Sequence, residues 1–493
     1  MNQLNPMNEK DVIADILIVG AGAAGLKASI EARKSGLNVA LTSKTPKKSP
    51  NSSSLAVGWM THVDRETKDG AFKSTVEEGG YLNNQKLVRA FVDDAEREIP
   101  GLTDIGIKLE VREYPWGRGV NRPSKQYLAV SGKPPYGLSI IEALRETAEG
   151  LGVRILYNSI VTRLLTDGGS VVGATVLNLE DGHLRTFRDK AVILATGGGA
   201  SIFGRTDNPA GTTGDGYALA YRTGAELVDM ELMEFMISNK DLEKIFGSDL
   251  SREESDLVLS HGGCHYFLGG VRVDENLMSS LGGLFAAGEV AGGLFGASRL
   301  WGSALADAVA FGARAGLRAA DWVRSGIIGL HDINRDQVEE ERVRLGDLIG
   351  EGKASVASVE RGIHETMWRM CGVLKDLDSM IMASEALEGL ESEASRMCVP
   401  NVQDLRGAIE VVNMLDVAKI IDKAASLRRE SRGAFWRMDF KAPDNENWLA
   451  NLVVARRNEE PSIDVAPSMM SEVKPPSCWV PRIGNHVSGH LQV

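Results

Sequence analysis

Cysteine is scarce. The 493 residues hold four (Cys264, Cys371, Cys398 and Cys478), scattered and with no CxxC pair. That spacing argues against a disulfide framework, a zinc site or an iron–sulfur cluster within the chain. Long apolar runs are missing too. The most apolar stretch, residues 284–311, is broken by Glu289, Arg299 and Asp307, so no membrane span is expected. Positive charge is in deficit: 55 Lys and Arg stand against 67 Asp and Glu, a formal net charge of −12. A nucleic-acid or anionic-membrane partner needs a basic face, so neither is expected. The opening residues MNQLNPMNEK lack the charged-then-apolar order of a signal peptide, and the expected compartment is the reducing cytoplasm. No internal repeat is seen.

What is present is glycine in particular places. A chain of this length forms two or three domains. Residues 283–316 read as a strand (284–287), a glycine-rich loop with one Glu and one Arg, and a helix from about Ser303. Gly288, Gly292, Gly293 and Gly296 have no Cβ to hold a flat ligand away. The helix start adds free N–H groups and partial positive charge. The plainer alternative for these glycines is a close crossing of two helices.

A second signal sits near the start. Residues 15–19 are a short apolar strand, running into Gly20-Ala21-Gly22-Ala23-Ala24-Gly25, a helix to about Lys34 and a second strand at 37–41. Strand, GxGxxG, helix, strand is the context the dinucleotide fingerprint requires. Gly20 makes the turn, Gly22 admits a pyrophosphate onto the helix N-terminus, and Gly25 lets helix and strand pack. The second strand ends in Ser43-Lys44, where a nicotinamide site would offer Asp or Glu to the ribose. That disfavours NAD and leaves FAD.

Between these signals, residues 44–59 are a polar loop and 61–115 read mainly as helix, clearest at 84–98. Residues 117–135 read as loop and 138–151 as helix. Residues 153–156, 159–166 and 171–178 resemble strands of one small sheet. A buried strand at 190–195 ends in Ala195-Thr196-Gly197-Gly198-Gly199, with Gly197 and Gly198 expected on the pyrophosphate side. A tight loop at 208–216 carries Asp215, and 217–223 is helical. After Arg314 the chain is helical and charged, and 439–493 read as an irregular, Pro-rich tail.

Together with Cys264-His265-Tyr266-Phe267-Leu268-Gly269-Gly270, Gly288-Glu289, Gly296-Ala297-Ser298-Arg299-Leu300 and Glu430-Ser431-Arg432-Gly433, these motifs occur in an order that resembles the flavoprotein subunits of succinate dehydrogenase and fumarate reductase, and L-aspartate oxidase. The resemblance covers residues 13 to about 450. It implies an α/β fold: a Rossmann-like FAD-binding domain in two segments (1–235 and 263–325), a capping segment (236–262), a C-terminal helical domain (326–450) and an extended tail (451–493). It implies that Glu289 hydrogen-bonds the FAD ribose, that Ser303, Ala304 and Leu305 meet the flavin ring or ribityl chain, and that Ser43 and Lys44 stand in for the missing acidic ribose partner. Gly20, Gly22, Ala23, Ala24, Gly25, Ser52, Ser53, Gly58, Ala195, Thr196, Gly197, Gly198, Asp215, Gly288 and Arg299 complete the implied cofactor set.

Three departures matter. Respiratory members tether FAD through a His in the loop after the second strand; Ser52 stands there, so the FAD is expected to be non-covalent. The cap is strongly reduced: residues 237–264 are all that separate Met236 from His265, whereas a domain takes about 50 residues or more. The family's dicarboxylate-contacting His falls at Met236, the cap's proton-donating Arg has no evident counterpart, and Arg252 is the one Arg left in the stump. Trp301 replaces a small residue beside Arg299, and Phe435 replaces the family's His in the last motif.

The implied activity is that of an FAD-dependent oxidoreductase moving hydride between flavin N5 and an organic substrate. His265 and Arg299 are the expected catalytic residues, Arg299 as a fork for a substrate carboxylate and His265 as donor or proton relay. The thiol of Cys264, beside His265, is either a small buried residue or a reactive group. No metal is expected, although His261, Cys264 and His265 have ligating side chains. Electrons would pass to a separate iron–sulfur or ferredoxin-like partner. The alternatives are a stand-alone oxidase of the L-aspartate oxidase type and an electron-transfer or scaffold flavoprotein without its own substrate site.

Overall fold

The structure, a computed structural model, describes residues 12–113, 125–237, 262–326 and 333–476. Most of the short capping segment, with Arg252 and His261, lies outside the described residues, as does Cys478.

Strand β1 (Ile16–Val19) is apolar and buried at every position, as a strand covered on both faces must be. It leads through the glycine turn into α1 (Ala23–Lys34), and from there to β2 (Val39–Thr42) and β3 (Arg154–Leu156). β4 (Ala191–Leu194) is equally apolar. Further on come α2 (Asp215–Thr223), β5 (Met233–Met236), β6 (Gly263–Phe267), β7 (Leu284–Ala286), α3 (Ser303–Ser325), α4 (Leu405–Leu427), β8 (Ala450–Arg457) and β9 (Glu460–Pro467). The central sheet has the order β7-β4-β1-β2-β3, all parallel. Its middle strand carries the glycine turn at its C-terminal end, where open α/β sheets bind ligands.

Residues 153–156 therefore belong to the central sheet, not to the small sheet of 159–178. The small sheet instead pairs 159–167, 170–178 and 184–188, with Val12–Ile13 at its edge. Part of the expected loop at 117–135 is a strand, Lys125–Ala129, paired with Trp59–Thr61 and Leu109–Glu113. The tail also departs from expectation. β8 and β9 form a hairpin whose first strand pairs with Leu227–Val228.

The glycines of α3 do what the plainer alternative proposed, alongside the ligand loop before them. A Cβ on Gly312 would lie 2.6 Å from the Ala24 carbonyl oxygen, and one on Gly316 2.3 Å from that of Ala28. α3 thus lies directly on α1, and both helices point their N-termini toward the same end of the sheet.

The helical domain braces the loop before α3. Gly433, at φ +55°, presses against Ala297, whose carbonyl accepts from Ala434 N at 2.8 Å. Arg432 holds Glu430 at 2.8 Å and reaches the Gly80 carbonyl. Phe435 is buried and packs against the Lys375 ammonium, 4.9 Å from its ring centroid. Burial brings that ammonium down to about 7.

Arg428 is fully buried between Glu231 at 2.7 Å and Glu430 at 3.0 Å, with Asp229 3.6 Å away. It also donates to the Ala450 carbonyl at 2.9 Å, tying the end of α4 to β8. Truncating one member of a buried charge cluster strands the others in low dielectric, at a cost of about 3–5 kcal/mol. Arg428→Met should therefore lower the urea midpoint of unfolding steeply, while a change at an exposed, i,i+3-paired Arg such as Arg342→Met leaves it within error.

Candidate functional site

A cavity of about 920 Å³ opens at the C-terminal ends of β1 and β4, between the N-termini of α1 and α3. At one end Gly20 turns the chain at φ +115°, and a Cβ there would lie 2.2 Å from the Ala195 oxygen. Gly22 is different. The nearest atom to a Cβ on it is Ser53 Oγ at 3.5 Å, so its outer side is open to the cavity. Gly25 does not line the cavity; its Cβ would meet the Gly20 oxygen at 1.9 Å, which makes it the packing glycine. α1 begins at Gly22 with no side-chain cap, and Ala23 N donates only to Ser53 Oγ at 3.3 Å. Free N–H groups and the helix dipole thus face the cavity. Ala23, Ala24, Ala195, Thr196 and Gly197 complete this wall, and Thr196 Oγ1 is buried without a hydrogen-bond partner. The cradle suits a pyrophosphate.

Not every expected residue faces it. Lys44 lines the cavity, but its ammonium sits between Asp215 (2.6 Å) and Glu410 (2.7 Å) and donates to Thr213. Burial opposes that charge, and the two carboxylates more than offset it, holding the ammonium above its usual range. Asp215 accepts from Asn413 as well. Ser43 Oγ donates to the Thr45 carbonyl. Lys44 is therefore not a free stand-in for the acidic ribose partner; it ties the loop after β2 to α4 through Glu410. Ser52, Ser53 and Gly58 line the cavity, Ser52 on a one-turn helix (Ser52–Leu55) capped by Asn51.

Along the other wall lie Gly288, Ala304 and Leu305. Ser303, buried, turns its hydroxyl to the Leu300 carbonyl instead. Gly198 also stands behind the wall. Its Cβ would lie 2.0 Å from Glu289 Oε1, so this glycine makes room for Glu289. Glu289 accepts from Phe267 N at 2.9 Å, and desolvation pushes its carboxyl up to about 7, with that hydrogen bond and the nearby His265 and Arg299 opposing.

The cavity is also lined by His265, Arg299, Tyr266, Trp301 and Met236. Two carboxylates that sequence reasoning missed are paired with the two expected catalytic groups. Asp207 Oδ2 lies 2.7 Å from His265 Nδ1, and Asn208 Nδ2 donates to the His265 carbonyl at 2.7 Å. A carboxylate opposite Nδ1 holds the proton there and leaves Nε2 to exchange a proton with a ligand. Glu234 Oε2 lies 2.9 Å from Arg299 Nη2, and its other oxygen accepts from Arg299 N at 3.3 Å. Arg299 also stacks on Tyr266, 4.5 Å from the ring centroid. The expected free fork for a carboxylate is thus already engaged. Cys264 is fully buried, which pushes its thiol well above the ordinary range and makes it the inert alternative. Among the described residues no cluster of His, Cys, Asp or Glu has the geometry of a metal site. Nor is any described helix long and apolar enough to cross a membrane.

Asp307, in the first turns of α3, accepts from Tyr266 OH at 3.5 Å. Burial pushes its carboxyl from 3.8 to about 8, helped by Glu289 and opposed by Tyr266 and Arg299. The folded chain thus keeps a proton that the unfolded chain releases near 3.8, so the stability tied to it is lost as pH rises from about 4 to about 8. Glu289, Asp229 and Asp422 act in the same direction. The melting temperature of the flavin-free protein should fall between pH 5 and pH 8, and Asp307→Asn should make that decline measurably shallower.

The comparisons agree with this geometry. Residues 15–245 and 256–305, more than half of the chain, match the FAD binding domain profile, and residues 360–479 match that of the fumarate reductase flavoprotein C-terminal region. The chain is 27% identical to one subunit of the fumarate reductase (CoM/CoB) of Methanothermobacter marburgensis, over 90% of this chain and 97% of that one. It is 26% identical to the L-aspartate oxidase of Streptomyces coelicolor, over 94% and 95% of the two chains. The first alignment runs to 542 positions while using 90% of 493 residues, about 444, so about 100 positions face gaps in this chain, the size of a small domain. E. coli quinol fumarate reductase FrdA superposes with a TM-score of 0.84 at 23% identity, covering 95% of this chain and 98% of that one. Adenylylsulfate reductase from Archaeoglobus fulgidus gives 0.77 at 17%, covering 94% and 98%; at these identities the two structures speak for the fold. With the glycine cradle, the two-segment FAD-binding part and the helical domain in place, the chain belongs to the FAD-dependent oxidoreductases of the fumarate reductase and succinate dehydrogenase flavoprotein family.

Proposed function

We propose that this chain is the substrate-oxidising or substrate-reducing flavoprotein of a two-protein system, with FAD held non-covalently and electrons exchanged with a separate iron–sulfur protein. The observation that carries the reading is the Asp207–His265 pair lining the same cavity as the pyrophosphate cradle. Gly22, Ala23 and Gly197 would hold the pyrophosphate, Glu289 the ribose, and Ala304 and Leu305 the ring. Bound FAD supplies a two-electron acceptor or donor at its ring. The residues of the chain do the rest. His265 Nε2 takes a proton from the substrate as hydride leaves it, or returns one in the opposite direction. Asp207 is a positioning residue that holds the imidazole tautomer. Trp301 and Tyr266 narrow the site.

In this reading His265 takes over the proton transfer for which the resemblance implied a cap arginine. The anionic substrate implied by the resemblance is not carried over, because Arg299 is already paired. An iron–sulfur partner is supported by the names of the relatives, which are subunits, and by the scattered cysteines here. The test is anaerobic reduction of the holoprotein, followed by mixing with a two-cluster ferredoxin or with oxygen. Fast reoxidation by the ferredoxin and little peroxide supports the proposal. Fast, stoichiometric peroxide formation together with turnover of L-aspartate replaces it with the oxidase reading.

A further inference from the structure

We infer that Glu234 sets the charge class of the substrate: the reactive end of the cavity receives an uncharged oxygen, a carbonyl, hydroxyl or amide, rather than a carboxylate. The inference rests on the flavin site proposed above and adds what that site selects.

Glu234 lies on β5, where the pairing with β6 shifts register between Glu234 and Phe235. The extra residue at this irregularity is His265 on β6, and Glu234, paired with Tyr266, reaches Arg299 from beside it. Both members of the pair are buried, with side chains 7% (Arg299) and 4% (Glu234) exposed. The guanidinium face is covered by Tyr266. Arg299 Nη2 is held by Glu234, and its Nε is buried without a hydrogen-bond partner and out of a ligand's reach. A guanidinium neutralised by a buried carboxylate can still donate to a neutral acceptor through its remaining N–H groups, but it gives a carboxylate no net attraction. A substrate carboxylate beside Arg299 would sit against the buried carboxylate of Glu234, itself near Glu289. The imidazole of His265, also in this part of the cavity, faces Asp207.

The experiment uses the flavin-loaded protein. Malonate and succinate, and their neutral diamides, are titrated by calorimetry and by the perturbation of the flavin absorbance. The wild type should bind the diamides more tightly than the dicarboxylates. Glu234→Gln keeps the shape and frees the charge of Arg299, so dicarboxylate affinity should rise about 10- to 100-fold, with the diamides changed less than about threefold. Submillimolar succinate or malonate binding by the wild type overturns the inference, and so does an E234Q protein with an unchanged acid-to-amide ratio. If E234Q does not fold, the wild-type ratio alone decides. A colourless wild type, seen before any ligand is added, counts against the flavin reading and not against this one.

Discussion

Gly20→Val should fail to accumulate as folded protein, while Gly22→Val should fold and come out colourless. The two glycines are two residues apart in one motif, yet the structure gives them different work. At Gly20 the backbone is at φ +115° and a Cβ would lie 2.2 Å from the Ala195 oxygen, with Ala195 itself on the strand connection from β4. Left-handed strain and a backbone clash together cost more than about 3 kcal/mol, a large part of a total stability of about 5–15 kcal/mol. At Gly22 the nearest protein atom to a Cβ is 3.5 Å away, so the fold has room. The added side chain instead occupies the place where a pyrophosphate meets the first N–H groups of α1. Losing one or two charge-assisted hydrogen bonds, each about 1.5–3 kcal/mol, lowers FAD affinity by about 100-fold or more. Soluble yield and melting temperature read the first effect. The ratio of flavin absorbance to protein absorbance reads the second.

The second large effect is expected at His265, which lines the same cavity. His265→Ala should slow reduction of the flavin by substrate about 10²- to 10⁴-fold, the usual worth of a positioned proton donor or acceptor, with FAD content unchanged. Asp207→Asn should slow it by about tenfold or more, because an amide opposite Nδ1 donates as readily as it accepts and the imidazole loses its fixed tautomer. A purely structural role for Asp207 predicts no such link. The distinguishing readout is the ¹⁵N NMR signature of the imidazole: Nδ1–H in the wild type, the Nε2–H form gaining in the Asn variant. Asp207→Glu, which restores a carboxylate, should recover part of the rate.

How much of this was legible in the sequence follows from the range of the interactions. The glycine turn, α1 and β2 are local, and a motif of six residues with its flanking strands carries the pattern. Asp207 and His265 are 58 positions apart, Glu234 and Arg299 65 apart. No spacing rule links them. Each was invisible until β5, β6, the loop at Asp207 and the loop before α3 were placed together. Lys44 shows the same limit in reverse: its place after β2 suggested a ribose, but α4, more than 360 residues on, supplies Glu410 to the same ammonium.

One miss had a readable signal. β8 and β9 flank Asn458 and Glu459, both at positive φ, and Arg457 faces Glu460 across the turn. That is a two-residue hairpin of the primed kind, for which Asn in the first place is favoured. The apolar run 452–455 before it already had strand character, and the prolines at 461 and 467 sit on a strand that pairs on one side only. Of the four glycines expected against a flat ligand, Gly288 lines the cavity, whereas Gly292, Gly293 and Gly296 pack against neighbouring chain; Gly312 and Gly316 let α3 rest on α1.

The most direct test is to unfold the purified yellow protein in acid, pass it through a small-pore filter and identify the flavin. About one FAD per chain in the filtrate, and renewed colour when the apoprotein is mixed with FAD, is the result expected from a reversible cofactor held in the cradle of Gly22, Ala23 and Gly197. Flavin retained with the polypeptide, or a colourless protein that FAD cannot restore, contradicts it.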